Sequence, residues 1–219
     1  MNDITRQLAQ VINERKVYGK YRGFVSDNAD PEKRGRIKAT IPALLGEQIT
    51  DWAQPCFPWG GLADQGWFAV PEVGAQVWVE FEAGDLHMPI WTGSFWQQAS
   101  DVPAEVQDQP TTRLMKTPKG HLLVFEDKDD GEQITLKHSG GAQLDIDPKG
   151  TIAITDQNGA KITMDADANK LIIEDANGNT MTLAAAGTTV EDANGNKIEM
   201  AASGVTVKGA QIVVEGNQV

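Results

Sequence analysis

From Glu126 to Val219 the chain contains no Phe, Tyr or Trp, although six Phe, six Trp and two Tyr lie at or before Phe125. Aromatic rings are the usual filling of an irregular globular core, so their absence excludes such a core from the second half. What remains there is Ile, Val, Leu, Met, Thr and Ala, which suits a narrow, regular interior. Cysteine is nearly absent: Cys56 alone excludes an intrachain disulfide, so packing, a partner or self-association must hold the fold. Between Pro55 and Phe57, with no basic neighbour, Cys56 is expected to be a buried structural thiol rather than a nucleophile. Positive charge is scarce, at 19 Lys and Arg against 31 Asp and Glu. The net charge of -12 disfavours nucleic acid and anionic membrane surfaces as partners. No apolar run reaches the roughly 18 residues of a membrane span. The opening "MNDITRQLAQVINERK" holds no apolar stretch of signal-peptide length, so synthesis in the cytoplasm without a cleaved signal is expected.

The 219 residues are long enough for two small β domains. Ile4, Leu8, Val11 and Ile12 fall at helical spacing, so an amphipathic helix is expected over residues 3–16, within an N-terminal arm spanning 1–17. Over 18–96 the signals are β: "YGKYRGFVS", "RGRIKATIP", "GWFAVP", "AQVWVEFE" and "PIWTGSFW", separated by Gly- and Pro-containing turns. In "AQVWVEFE" Val77, Val79 and Phe81 alternate with Trp78 and Glu80, giving one buried face. Five short strands in so little chain suggest a five-stranded OB barrel. Residues 97–113 are polar, hold two prolines and lack alternation, and read as a linker. Across 114–219, strand centres from "HLLVF" to "QIVVE" recur every seven to ten residues or so, the period of a stacked repeat architecture. Each strand is too short to bury itself, and its edges need covering.

No motif in the chain demands chemistry. "DANGN" occurs at 175–179 and 192–196, with a looser "DQNG" at 156–159. A calcium loop of the EF-hand type needs Gly at position 6 and Glu at 12. The first copy places Thr180 and Ala186 there, the second Lys197 and Ser203. Asn-Gly is instead what a tight turn requires, so Asn158, Gly159, Asn177, Gly178, Asn194 and Gly195 are assigned to turns. His87, His121 and His138 show no metal-ligand spacing. Asp165 and Asp167 are the one carboxylate pair that a polysaccharide-cleaving β-helix enzyme could use, yet Asp recurs at every turn. Lys20, Arg22, Arg34, Arg36 and Lys38 are the only cluster an OB-fold nucleic-acid binder could use. No phosphate loop or dinucleotide fingerprint is present. No enzyme activity, metal or cofactor is therefore expected.

Three segments, "GFVSDNADPEKRGRIKATIPALLGE", "WAQPCFPWGG" and "GWFAVPEVGAQVWVEFEAGDLHMPIWTGSFW", resemble the OB domain of the central spike proteins of contractile phage tails and injection systems, the baseplate V and VgrG-like family. Asp30, Pro31, Gly35, Arg36, Ile37 and Lys38 match its "D-P-x-x-x-G-R-(I/V)-(K/R)" element; Trp52, Ala53 and Pro55 match its "W-A-x-P". "KTPKGHLLVFEDKDDGEQITLKHSGGAQLDID" resembles the entry to the intertwined triple-stranded β-helix that follows in these spikes.

The resemblance implies an all-β homotrimer acting as a membrane-piercing spike of a phage tail baseplate or injection-system particle. Its partners would be a hub protein at the tube end, a PAAR-repeat tip protein and the target envelope. The linker is too short for the lysozyme domain of some relatives. The C-terminal "GAQIVVEGNQV" lacks the His-x-His that holds a tip metal in others. On this reading Ile162, Met164, Leu171, Ile173, Met181, Leu183, Ile198, Met200, Val205, Val207, Ile212 and Val214 form the trimer core. Each "DANGN" turns the chain from one face of the prism to the next, and Trp67, Phe68, Trp78 and Trp91 contact the hub.

Overall fold

The computed structural model describes residues 16–106 and 110–213; the helix expected at 3–16 and Val214 lie outside them. The chain divides into two compact units, Met1–Val102 and Pro103–Val219.

The first unit is built on five strands: β1 (Tyr21–Asp27), β2 (Lys38–Thr40), β3 (Gln54–Pro55), β4 (Gln76–Phe81) and β5 (Pro89–Ser94). They pair in the order β2-β1-β4-β5-β3, with β3 parallel to β5 and the other pairs antiparallel. An antiparallel bridge between Ile37 and Ala53, with N–H to C=O distances of 3.2 and 2.7 Å, links the β2 and β3 ends and closes the ring. This is the barrel that removes open edges from a small antiparallel sheet. A short helix α1 (Pro42–Leu45) follows β2. Val77, Val79 and Phe81 point into the barrel beside Val25, Ile37, Ala39, Ile41, Ala53 and Trp91. "GWFAVP" is not a strand; the third strand comes from "WAQP" instead. In that stretch Gly66 has φ 146° and the Trp67 N–H bonds the Trp59 carbonyl at 3.0 Å, so the chain folds back on itself as a loop.

The second unit is an antiparallel sheet of 11 strands, each paired with the next in sequence. They are β6 (Thr112–Lys116), β7 (Leu122–Glu126), β8 (Gln133–Lys137), β9 (Gln143–Ile146), β10 (Ile152–Thr155), β11 (Lys161–Asp165), β12 (Lys170–Glu174), β13 (Thr180–Ala184), β14 (Gly187–Glu191), β15 (Lys197–Ala201) and β16 (Gly204–Lys208). β6 thus begins inside the stretch read as linker. At about 4.8 Å per strand the sheet runs roughly 50 Å from β6 to β16. Two expectations change. Strand edges expected to need neighbouring chains are paired within this chain, because turns of two to six residues bring successive strands side by side. The "DANGN" segments join strands of one sheet rather than carrying the chain between faces. Gln211–Val213, the described part of "QIVVE", forms no strand.

Candidate functional site

The turns along one edge of the long sheet share a design. In 156–160, 175–179 and 192–196 the leading Asp accepts, through one carboxylate oxygen, the backbone N–H groups two and four residues later, at 2.8–2.9 Å. The fourth residue is glycine with positive φ: 97° at Gly159, 89° at Gly178 and 81° at Gly195. That region is open to glycine at no steric cost. In 138–142 the leading residue is His138, whose Nδ1 accepts from the Gly140 N–H at 3.0 Å. In four turns the fifth position also reaches along the edge to a backbone N–H of the next segment. Asn179 Oδ1 accepts from Ala193 N–H, Asn196 Oδ1 from Ala210 N–H and His121 Nδ1 from Ser139 N–H, while Thr151 Oγ1 accepts from Ala166 N–H on the opposite edge. The second oxygen of Asp175 is held by the Asn179 and Asn177 side-chain amides at 2.6 and 3.2 Å. These donors, Asn179 first, hold Asp175 well below the usual carboxylate range, and Asn196 first lowers Asp192. These oxygens serve the turn, and among the described residues no group of three or more His, Cys, Asp or Glu side chains could hold a metal ion.

The sheet carries most of its apolar side chains on one face, in two columns fixed by the strand registers. One runs Met115, Leu123, Leu136, Leu144, Ile154, Ile162, Ile173, Met181, Val190, Ile198, Val207. In the other, Phe125, Ile134, Ile146, Ile152, Met164, Leu171, Leu183, Met200 and Val205 are joined by only two polar residues, Arg113 at the head and Thr188. The opposite face is mixed at its start, where it carries Leu114, Leu122 and Val124, and mostly polar further on, with Thr163, Thr182, Thr189 and Glu199 beside Ile172 in its central column. Accessibility runs against polarity. Met181, Ile198 and Met200 are 38, 46 and 45% exposed, while Thr163, Thr182 and Thr189 are half-buried. Among the described residues of this unit only Leu122 is a buried hydrophobic. Of the residues assigned to a trimer core, Ile162 to Val207 all lie on this face; Leu171 is half-buried, the rest are exposed, and Ile212 is exposed beyond the last strand.

In the first unit the "D-P-x-x-x-G-R" element is a locked turn. Asp30 accepts the Arg36 guanidinium at 2.6 and 3.0 Å and the backbone N–H groups of Glu32, Arg34 and Arg36. Arg36 first, and then these amides, hold the Asp30 carboxyl well below the usual range. Gly35 has φ 78°, and a Cβ there would meet the Phe57 ring at 3.0 Å and Phe68 at 3.1 Å. Trp91 is only 5% exposed; its Nε1–H donates to the Gly35 carbonyl at 3.1 Å and its ring meets Phe57 edge-on. Trp91 is therefore a core residue and not a surface contact. Cys56 is exposed, not buried, because its neighbours Phe57 and Pro55 take the inward positions. Trp67 and Phe68 are exposed at 48 and 67%, beside exposed Trp59 and Leu62, which the sequence reading passed over. Trp78 is half-buried against Phe95 and under Arg22.

The other chemical readings find no site. Lys20 pairs with Glu80, and Arg34 and Arg36 pair with Glu32 and Asp30. Arg22 lies over Trp78 and Phe95, and Lys38 over Trp52, so the cluster is satisfied internally. Asp167 is bonded to Lys149 at 2.8 Å, and Asp165 accepts the Ala168 N–H in its own turn.

A small closed barrel followed by a long one-sided sheet defines a two-domain all-β protein whose second domain is an association module. Residues 21–96 match the type VI secretion system/phage-baseplate injector OB domain, and 112–168 the phage baseplate V C-terminal trimerisation domain. The chain belongs to this baseplate-spike, VgrG-like family. It is 32% identical over 111 residues to the type VI secretion system spike protein VgrG3 of Vibrio cholerae, covering 47% of this chain and 11% of the relative. It is 35% identical over 113 residues to the spike protein VgrG5 of Pseudomonas aeruginosa (47% and 14%). It is 30% identical over 125 residues to the actin cross-linking toxin VgrG1 of Vibrio cholerae (53% and 11%). The chain thus spans a small part of the length of these relatives.

Proposed function

We propose that three copies of this chain pack their apolar sheet faces around a common axis, forming a rigid prism that acts as the central spike of a phage tail baseplate or injection-system particle. One observation carries this reading: an apolar face of two columns, broken only by Arg113 and Thr188 and roughly 50 Å long, that no described residue of this unit covers. Moving such half-exposed aliphatic side chains into a shared core contributes on the order of 1 kcal/mol each, summed over nearly every rung. Function is then mechanical. A sheet hydrogen-bonded along its whole length transmits axial force from the tube to the target envelope, and no catalytic step is assigned to it.

The barrels would sit beneath the hub at the tube end, with exposed Trp59, Leu62, Trp67 and Phe68, and half-buried Trp78, as contacts. The far end would be capped by a separate PAAR-repeat tip protein. Sedimentation equilibrium or light scattering tests the reading. A particle of three 23.7 kDa chains is expected; a monodisperse monomer would overturn it.

A further inference from the structure

We propose that Asn158–Gly159 is the sheet's site of spontaneous deamidation. Three Asn-Gly pairs occur among the described residues, all in turns along one edge: Asn158–Gly159, Asn177–Gly178 and Asn194–Gly195. The reaction is intramolecular. The glycine backbone nitrogen, after losing its proton to solvent base, attacks the Asn side-chain carbonyl carbon; a ring C–N bond forms and the Cγ–Nδ2 bond breaks, releasing ammonia. Water then opens the cyclic imide to Asp, or to iso-Asp with one extra methylene in the backbone. A side-chain amide held in place, or a glycine N–H engaged as a donor, opposes this attack.

The three turns differ in both respects. The Asn177 amide donates to Asp175 Oδ2 at 3.2 Å, and in the third turn the Asn196 amide donates to Asp192 Oδ2 at 2.7 Å. The Asn158 side chain, exposed, makes no such bond. The glycine N–H groups bond the leading Asp carbonyl at 3.0 Å for Gly195 and 3.2 Å for Gly178, but at 3.3 Å for Gly159. Position five sharpens the contrast. Asn179 and Asn196 brace their turns through Asp175 and Asp192, whereas that place in the first turn is Ala160, which has no side chain to do so. The sheet therefore carries one unbraced and two braced copies of the same reactive dipeptide. Conversion of Asn158 adds negative charge to the edge, and the iso-Asp form lengthens the backbone between the two amides that Asp156 binds.

The full chain is incubated at mildly alkaline pH and digested with trypsin, which places Asn158 in peptide 150–161 and the other two in 171–197. Mass spectrometry and enzymatic methylation of iso-Asp then follow the amide-to-acid change. Peptide 150–161 is expected to convert severalfold faster than either site in 171–197, and Asn158→Ser to abolish that fast phase. Asp175→Ser, which frees the Asn177 amide, is expected to raise conversion at Asn177 alone. Equal rates at the three sites in the native chain, or slower conversion at Asn158, would overturn the proposal.

Discussion

Asp30 shows how one carboxylate can fix a turn that sequence presents only as a motif. Its two oxygens bind a guanidinium and three backbone amides, which brings Gly35 under Phe57 and Phe68 and delivers the Gly35 carbonyl to Trp91. Because these donors depress its folded-state pKa, Asp30 contributes stability above the unfolded Asp value near 3.9. That contribution is lost as pH falls from there toward the folded value. All six Trp lie in the first unit, so tryptophan fluorescence reports on the barrel alone. Below about pH 4 the denaturant midpoint read by fluorescence is expected to fall in the native chain. In Asp30→Asn it is expected to be lower at neutral pH and flatter with acid. The motif was legible in the sequence; its engagement with Trp91 was not, since Gly35 and Trp91 lie 56 residues apart. Cys56 and Trp91 were misplaced for a related reason. Which of several adjacent apolar residues turns inward depends on strand pairing: Cys56 follows the two-residue β3, which gives no periodicity to read, and Trp91 on β5 pairs with Pro55 of that same strand.

Among the elements, alternation alone decided the long sheet's two faces, and the register confirms that the residues at those positions share one side. The same alternation yields a sharp contrast. Met181→Glu puts a charge on the face proposed to be enclosed, at a cost of several kcal/mol per ion, and is expected to abolish the trimer by sedimentation. Thr182→Glu, one residue on and facing the other way, is expected to leave the trimer intact. Turn chemistry was readable because Asn-Gly and the leading Asp act within five residues. Edge pairing was not readable, because short strands joined by short turns permit either pairing within a chain or exchange between chains. Gly178→Val forces a β-branched residue to φ 89°, costing about 1–3 kcal/mol per chain. A lower thermal midpoint in the circular dichroism of the sheet is expected, with the fluorescence transition unmoved.

For the molecule as a whole, a barrel with a closed core and a sheet without one should respond differently to dilution. In the proposed trimer, folding of the sheet is coupled to association, so mass action makes its melting point rise with protein concentration. Calorimetry over a wide concentration range is expected to show one transition that shifts upward and, if the barrel melts separately, one that stays. A concentration-independent profile would mean that the apolar face is not what holds copies together.

The two columns have a further consequence. A ladder whose rungs are all Ile, Leu, Val or Met has no zero mark: three such ladders could slide past one another by a pair of strands and still meet oil with oil. The marks that do exist are Arg113 and Phe125 at the start and Thr188 near the far end. Phe125 is the last Phe, Tyr or Trp of the chain, and Thr188 the sole hydroxyl in the columns. These few odd rungs are what would make three interchangeable sheets agree on where to begin.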